Sequence, residues 1–170
     1  AIDSKDNLWL GTDNGVVWVN QTTNTYKAYR HDPKNKNSLS DNGVNSIYVD
    51  PEDKVYVATQ HFQHLDPTTG KFTIYDHLPN EAMPSPPPIV PGRHFVAGRL
   101  VFDLHPTSDG RVFIGTDEGL NIFDPKTKTF ANRFNDERIR RLPLNRYNSL
   151  YTDSKQNLWI GCGVDEVLCI

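Results

Sequence analysis

One strand-forming stretch recurs four times along this chain. Each copy is a short apolar run, rich in aromatic and β-branched residues, that follows a polar turn and ends in Gly-Thr or its equivalent. The copies are NLWLGT at 7–12, KVYVAT at 54–59, RVFIGT at 111–116 and NLWIGC at 157–162. Their aromatic residues are Trp9, Tyr56, Phe113 and Trp159, spaced by 47, 57 and 46 residues. A repeat of this length with several short strands is typical of β-propeller blades.

The segments around each copy predict the other strands of four blades. The Asp-Asn-Gly turn at 13–15 favours a tight hairpin, and polar or Pro/Gly turns at 66–70 and 124–128 separate further strands. We therefore predict an all-β fold, a β-propeller fragment of antiparallel four-stranded blades, with two blades complete and two partial. The predicted bounds within this one domain are 1–31 (partial), 44–76, 98–134 and 145–170 (partial).

Long connections separate the predicted blades. The second connection contains PSPPPIVPG at 84–92, and proline cannot sit in a central strand. In the third, NDERIRRL at 135–142 predicts one or two helical turns because acidic residues precede three arginines. An open array would leave unpaired edges, so we expect further blades outside this chain to complete the propeller.

Composition excludes several functional classes. Scattered charges of both signs, with a formal net charge of −3, provide no basic stripe for nucleic acid. No apolar run approaches the ~20 residues of a membrane span, and AIDSKDN at 1–7 has no signal-peptide pattern. The chain begins without Met, which favours an excised part of a longer protein.

Motifs for catalysis, metals and disulfides are not evident. Cys162 and Cys169 are expected too far apart on a hairpin for the ~5.5 Å Cα separation of a disulfide, so two free thiols are predicted. His61 and His64 are three apart on a predicted strand and point to opposite faces, so no metal site is predicted. No Ser-His-Asp set, phosphate loop or nucleophile elbow is present. We predict a non-enzymatic chain without a cofactor.

Two stretches, SLSDNGVNSIYVDPEDKVYVAT at 38–59 and NRYNSLYTDSKQNLWIGC at 145–162, resemble the two-component regulator propeller repeat. That repeat runs from an asparagine before the inner strand, through Asp and a turn, to a Leu-Trp-Ile-Gly-Thr strand and then a Gly-Leu run ending in Asp-Pro. The matching residues are Asn45, Asp50, Thr59, Gly110, Gly115, Thr116, Gly119, Leu120, Asp124, Pro125, Asn148, Asp153, Trp159 and Gly161. The sequence departs from the pattern at Ala58, Gln60, His61 and Cys162.

The resemblance implies the extracytoplasmic sensor of a hybrid two-component regulator. Such receptors typically carry two seven-bladed propellers, an Ig-like sandwich, a membrane helix and a histidine kinase, and the carbohydrate-sensing members respond to oligosaccharides. It therefore implies a periplasmic location, an oligosaccharide ligand, anchoring in the inner membrane by the rest of the protein, and a homodimeric receptor. Two alternatives stay open: a protein-interaction scaffold, and a propeller lyase of the streptogramin type with a general-base histidine near a metal, drawn from His31, His61 or His94.

Candidate ligand residues come from what we call the loop face. It comprises the turns between the second and third strands of each blade and the connections between blades. Planar polar side chains and an aromatic ring are what a sugar requires. Arg99, Arg146 and Tyr147 lie next to inner strands and are the first candidates. The others are Asp13, Asn14, Gln60, His61, Asp117 and Glu118, with Arg30, His31, Arg93 and His94 on the connections. Trp9 and Trp159 are expected to pack between sheets.

Overall fold

The computed structural model describes residues 1–77, 95–163 and 166–170. The chain forms two compact units, Ala1–Tyr75 and Asp76–Ile170. The strands of the first unit are β1 (Leu8–Thr12), β2 (Gly15–Asn20), β3 (Thr25–Tyr29), β4 (Ser46–Val49), β5 (Val55–Ala58), β6 (Phe62–Asp66) and β7 (Lys71–Ile74). The elements of the second are β8 (Val101–Pro106), β9 (Val112–Thr116), β10 (Gly119–Asp124), β11 (Thr129–Asn132), α1 (Glu137–Arg140), β12 (Tyr147–Thr152), β13 (Leu158–Cys162) and β14 (Val167–Cys169).

Each unit contains two antiparallel meander sheets. The first unit has a three-stranded sheet β1–β3 and a four-stranded sheet β4–β7, and the second has a four-stranded sheet β8–β11 and a three-stranded sheet β12–β14. Ile2 forms an isolated antiparallel bridge with Leu8, where the end of a first strand is predicted. The all-β prediction, with two complete and two partial propeller blades, is confirmed. The exact blade boundaries and their membership of one domain stay predictions.

The turn that precedes the strand of the repeated motif (β1, β5, β9 or β13) is the same in all four sheets. Its opening residue donates its backbone N–H to the carbonyl of the residue four positions later, at 2.9–3.1 Å. The residue just before that acceptor has a positive φ, between 58° and 85°. The opening residues are Asp3, Asp50, Thr107 and Asp153, and the positive-φ residues are Asp6, Asp53, Gly110 and Gln156. The repeat in the sequence is therefore a repeat in backbone conformation.

The recurring aromatic residues occupy equivalent places next to these turns. The indole N–H of Trp9 donates to Asp3 Oδ2 at 3.0 Å, and that of Trp159 donates to Asp153 Oδ2 at 3.0 Å. The hydroxyl of Tyr56 reaches the carboxylate of the corresponding aspartate, Asp50, at 3.3 Å. In the third copy Phe113 has no donor, and the opening residue is there a threonine instead of an aspartate. The equivalence predicted from periodicity is confirmed.

Burial of these rings depends on which sheet covers them. Trp9 is 3% exposed because the second sheet packs against its face, and Phe113 is partly buried against the fourth sheet. Trp159 is 42% exposed, so the prediction that it packs between sheets is wrong. Within the second unit, the side chains that pack against the third sheet come from the opposite face of the fourth sheet, Leu150, Leu158 and Ile160 among them. Hydrogen bonds from the Trp159 indole and the Asn157 amide lower the pKa of the Asp153 carboxyl to about 2.

The first strands of the two sheets in the second unit are joined through side chains. Asp103 Oδ2 accepts the backbone N–H of Leu150 at 2.8 Å, and His105 Nε2 accepts that of Thr152 at 3.0 Å. Burial lowers the pKa of His105, although the charge of Asp103 acts in the opposite direction. A neutral imidazole is the form that can accept this hydrogen bond.

Helix is limited to one short segment in the described residues. Asp136 caps α1 by accepting the backbone N–H of Arg138, which confirms the predicted helical turn. The proline-rich stretch 84–92 lies outside the described residues. None of the helices in the described ranges has both the length and the apolar character that a membrane crossing requires.

Candidate functional site

In the first unit, the β1–β2 turn lies against the connection to the next sheet. Asp13 and Asn14 form a two-residue loop between the paired Thr12 and Gly15, and both side chains are exposed. Gly15 donates its N–H to the carbonyl of Asn42 at 2.9 Å, and the Thr12 carbonyl accepts the N–H of residue 44 at 3.1 Å. Within this unit, the turn and the connection therefore share one face, as predicted.

The β5–β6 turn contributes Gln60 and His61 to the first unit's loop face. The exposed Gln60 has its Nε2 3.5 Å from Asp41 Oδ2, on the connection that precedes β4. His61 is half-buried, and its backbone N–H donates to the hydroxyl of Thr59 at 3.1 Å. Arg30, on the same connection, donates from Nε to the Asn14 carbonyl at 3.4 Å.

In the second unit, Asp117 positions the segment that carries Arg99. Its Oδ1 accepts the backbone N–H groups of Arg99 at 2.8 Å and Leu100 at 3.1 Å. The Arg99 side chain is exposed, and Glu118 next in the turn is half-buried. Two residues predicted separately are thus adjacent, with Asp117 acting as a positioning group.

Arg146 lies over an aromatic ring that sequence reasoning missed. Its guanidinium carbon is 5.2 Å from the ring centre of Phe102, a cation–π arrangement. Gly163 leaves the space for it, because a Cβ there would lie 3.3 Å from the Arg146 Cβ. The exposed Arg146 and the half-buried Phe102 therefore form a planar cation on an aromatic platform.

β-Bulges set the direction of two residues on this surface. In β8 the register shifts between Val101 and Asp103, which leaves Phe102 as the extra residue. In β12 the shift between Tyr147 and Ser149 leaves Asn148 extra. Bulges re-aim side chains and are frequent beside functional sites. The asparagine of the repeat motif signalled Asn148, whereas no signal in the sequence marks Phe102 as a bulge.

Tyr147 has a different environment from the other candidates. It is fully buried in the core of the second unit, and its hydroxyl donates to the carbonyl of Pro143 at 2.7 Å. Burial, with the nearby Cys162 and Glu166, raises the pKa of Tyr147 to about 12. Its ring belongs to the core and offers no surface to a ligand.

Two buried amides hold the connections in place, and sequence reasoning missed both. Gln63 accepts the backbone N–H of Ser40 at 3.1 Å and donates to its hydroxyl at 2.8 Å. Asn121 accepts the N–H of Ala97 at 2.7 Å and donates to its carbonyl at 2.9 Å. Both side chains are fully buried. The signal available was a polar residue within the apolar runs FQHL and LNIF.

The histidines are not gathered into a metal site in the described residues. There, no group of three or more His, Cys, Asp or Glu side chains could hold an ion. His31 has Nδ1 2.8 Å from the Leu39 carbonyl. Arg93 and His94 lie outside the described residues. The predictions of no metal and no cofactor stay predictions.

The meander sheets and their repeated turns define a β-propeller built from one repeating unit. The sequence profile of the two component regulator propeller matches residues 38–61 and 141–163, which confirms the resemblance. These two stretches of the chain are thus similar to the two component regulator propeller repeat. None of the curated proteins compared with this chain matches its sequence.

Solved structures share the fold at low sequence identity. The extracellular domain assigned to the hybrid two component system BT3049 of B. thetaiotaomicron is 23% identical, with a TM-score of 0.53 over 98% of this chain and 26% of that one. PorZ, a surface component of the type-IX secretion system of Porphyromonas gingivalis, is 12% identical, with a TM-score of 0.63 over 100% and 25%. A streptogramin B lyase is 14% identical, with a TM-score of 0.59 over 100% and 52%. The chain spans about a quarter of the length of the first two and about half of the third, and the likeness shows the fold alone.

Proposed function

We propose that this chain is part of the extracytoplasmic sensor propeller of a hybrid two-component regulator, and that its loop face binds an oligosaccharide. The observation that carries the proposal is the pair of two component regulator propeller repeats at 38–61 and 141–163. The fold shared with an extracellular domain assigned to such a system supports it. Periplasmic location, membrane anchoring and kinase signalling by the rest of the protein are parts of the same proposal.

The second unit offers the chemistry that a sugar requires. A pyranose presents hydroxyl groups at its edge and an apolar patch on its face, so planar donors and an aromatic ring bind it well. Phe102 supplies the ring, and Arg146 supplies a guanidinium that the ring holds in one orientation. Arg99, three residues before Phe102, and Asn148, two residues after Arg146, have exposed side chains that add further donors.

Signalling requires more than binding. A ligand shifts a receptor between arrangements only by its difference in affinity for them, so the oligosaccharide must favour one arrangement of the homodimer. A chain that only binds needs no catalytic group, which is consistent with a non-enzymatic role.

The test is calorimetric titration of the purified protein with neutral and acidic oligosaccharides, with product analysis of each mixture. We expect saturable binding without turnover. Arg146→Ala removes charge-assisted hydrogen bonds of about 1.5–3 kcal/mol, so affinity falls about ten- to hundredfold. Arg141→Ala is the matched control. The Arg141 side chain is 77% exposed, and its ion pair with Glu137 is long, at 3.6 Å, and therefore weak. Equal binding by the Arg146→Ala variant and the wild type would contradict the proposed site.

The lyase alternative rests on the fold shared with streptogramin B lyase. It predicts metal-dependent product formation from a streptogramin, abolished by chelation. Substrate that stays intact after prolonged incubation with a divalent metal excludes this alternative. Saturable sugar binding in the same preparation supports the sensor. If there is neither product formation nor sugar binding, the protein-interaction scaffold is the alternative that is left.

A further inference from the structure

A cleft of about 410 Å³ opens between the two sheets of the first unit, away from the loop face. It lies at the strand ends that carry the turn residues Lys5 and Asp53. Trp18, Lys27 and Tyr29 form its wall on the first sheet. Its volume falls in the range of about 300–1,000 Å³ that is common for small-molecule sites.

The aromatic wall follows from the strand register. Trp9 pairs with Trp18 and Trp18 pairs with Lys27, so the three side chains form a row across one face of the first sheet. Tyr29 lies on the same face, with its ring stacked on Trp9 at 6.1 Å and 22°. Lys27 Nζ is 4.7 Å above the Tyr29 ring. Trp18 is half-buried, and its indole N–H makes no hydrogen bond to any described residue.

The corresponding cleft in the second unit shows that the fold does not require this lining. There the equivalent row is Phe113, Ile122 and Ala131. That cleft has a volume of about 210 Å³, and its apolar wall has two arginines at its edge. The arginines, Arg111 and Arg138, are bonded to neighbouring aspartates at 2.7 Å. The indole of Trp18 and the ammonium of Lys27 are therefore specific to the cleft of the first unit and are not required by the fold.

The polar groups around the first cleft balance in charge. Two lysines, Lys5 and Lys27, and two aspartates, Asp3 and Asp53, line it, so the lining selects no net charge. Asp53 accepts the backbone N–H of Ser4 at Oδ1 and the Ser4 hydroxyl at Oδ2, at 2.7 and 2.5 Å, and each carboxylate oxygen can accept one more hydrogen bond.

A buried acceptor also lies at the wall of this cleft. The Asn7 side chain is 5% exposed, and its Oδ1 accepts no hydrogen bond from the described residues. A buried carbonyl oxygen without a donor is unfavourable, and a ligand hydroxyl would satisfy it. The cleft thus combines an aromatic surface with both donors and acceptors.

We infer that this cleft binds a neutral pyranose, with the apolar face of the sugar on Trp18 and its hydroxyl groups on Lys27 and Asp53. The balanced charges favour a neutral sugar over a uronic acid. This site lies away from the proposed loop face and does not depend on it.

The experiment titrates the purified protein with cellobiose, lactose and mannobiose, followed by calorimetry and tryptophan fluorescence. Trp18→Ile and Lys27→Ala install the residues of the equivalent row in the second unit. We expect at least one sugar to bind saturably and change the emission of the wild type. Trp18→Ile loses the emission change and about tenfold in affinity, and Lys27→Ala loses about fivefold.

Controls separate this site from the loop face. Trp159→Ile removes an exposed tryptophan of another sheet and should leave binding unchanged. Lys27 is exposed, so its replacement by alanine tests the cleft without disturbing the core. Loss of binding in Arg146→Ala alone places the sugar on the loop face and overturns this inference while the proposed function stands. No saturable binding of any of the three sugars, unchanged affinity in both cleft variants, or tighter binding of a glucuronate disaccharide also overturns it.

Discussion

Replacement of Asn121 by leucine tests whether a buried amide holds the connection that leads to Arg99. Asn121 and its partner Ala97 are both fully buried, and two hydrogen bonds of 2.7 and 2.9 Å join them. Leucine is similar in size but has no polar atom. Asn121→Leu therefore removes both bonds without opening a large cavity.

The two ends of Ala97 respond differently to this change. Its carbonyl still accepts the hydroxyl of Thr116 at 2.8 Å, so that acceptor stays satisfied. Its N–H loses its acceptor, which costs about 1–3 kcal/mol for a buried donor, and the second lost bond costs about 1 kcal/mol. The added apolar burial of leucine offsets about 1 kcal/mol. The net loss in the free energy of unfolding is about 2 kcal/mol.

Urea unfolding followed by circular dichroism measures this difference. A loss of about 2 kcal/mol lowers the melting temperature by about 4–8 °C for a chain of this size. Gln21→Leu is the control, because Gln21 is an exposed amide with one hydrogen bond to the Asp6 carbonyl, and we expect a change within about 0.5 kcal/mol. An Asn121→Leu variant as stable as this control would refute the anchoring role.

Gly15→Ala should destabilise the protein more than Gly110→Ala does in thermal unfolding. Both residues have a positive φ, but only the new Cβ at Gly15 meets a backbone carbonyl. Equal losses of stability, each about 1 kcal/mol, would contradict the clash. The folded pKa of Asp153, about 2, lies below the ordinary 3.8, so its contribution to stability is present above about pH 4 and is lost as the pH falls through the folded value. Asp153→Asn should flatten the decline in urea midpoint between about pH 4 and 2, and an unchanged pH profile would count against it. Both cysteines are free thiols, and Cys169 is exposed. Burial, and then the charge of Glu166, raises the pKa of the Cys162 thiol. Mass spectrometry during iodoacetamide treatment should therefore show Cys169 alkylated first, and the reverse order or a mass loss of two hydrogens would disprove this.

The repeated strands were predictable because each copy carries its own local signals. The aromatic residue, the preceding aspartate and the Gly-Thr ending lie within a few residues of one another, so Asp3 and Trp9 form their hydrogen bond without any distant partner. The sheet order follows from short turns between consecutive strands. These features depend on the local chain alone, and the backbone turn recurs in every copy.

The candidate site was predictable only in part. The pairing of Arg99 with Asp117 agrees with the expectation that turns and connections share a face. The platform under Arg146 was missed, because a bulge in β8 turns Phe102 towards it and a bulge depends on register with the next strand. Tyr147 is near the right place in the chain, but its side chain is in the core.

The sequence by itself determined the strands, their order and the repeated turn, because local patterning and turn chemistry decide these. Tertiary structure decided which faces are covered and which side chains reach the surface. At equivalent positions, Trp9 is buried because a second sheet packs against it, whereas Trp159 is exposed. Contacts between sheets depend on residues far apart in the chain, and no local pattern encodes them.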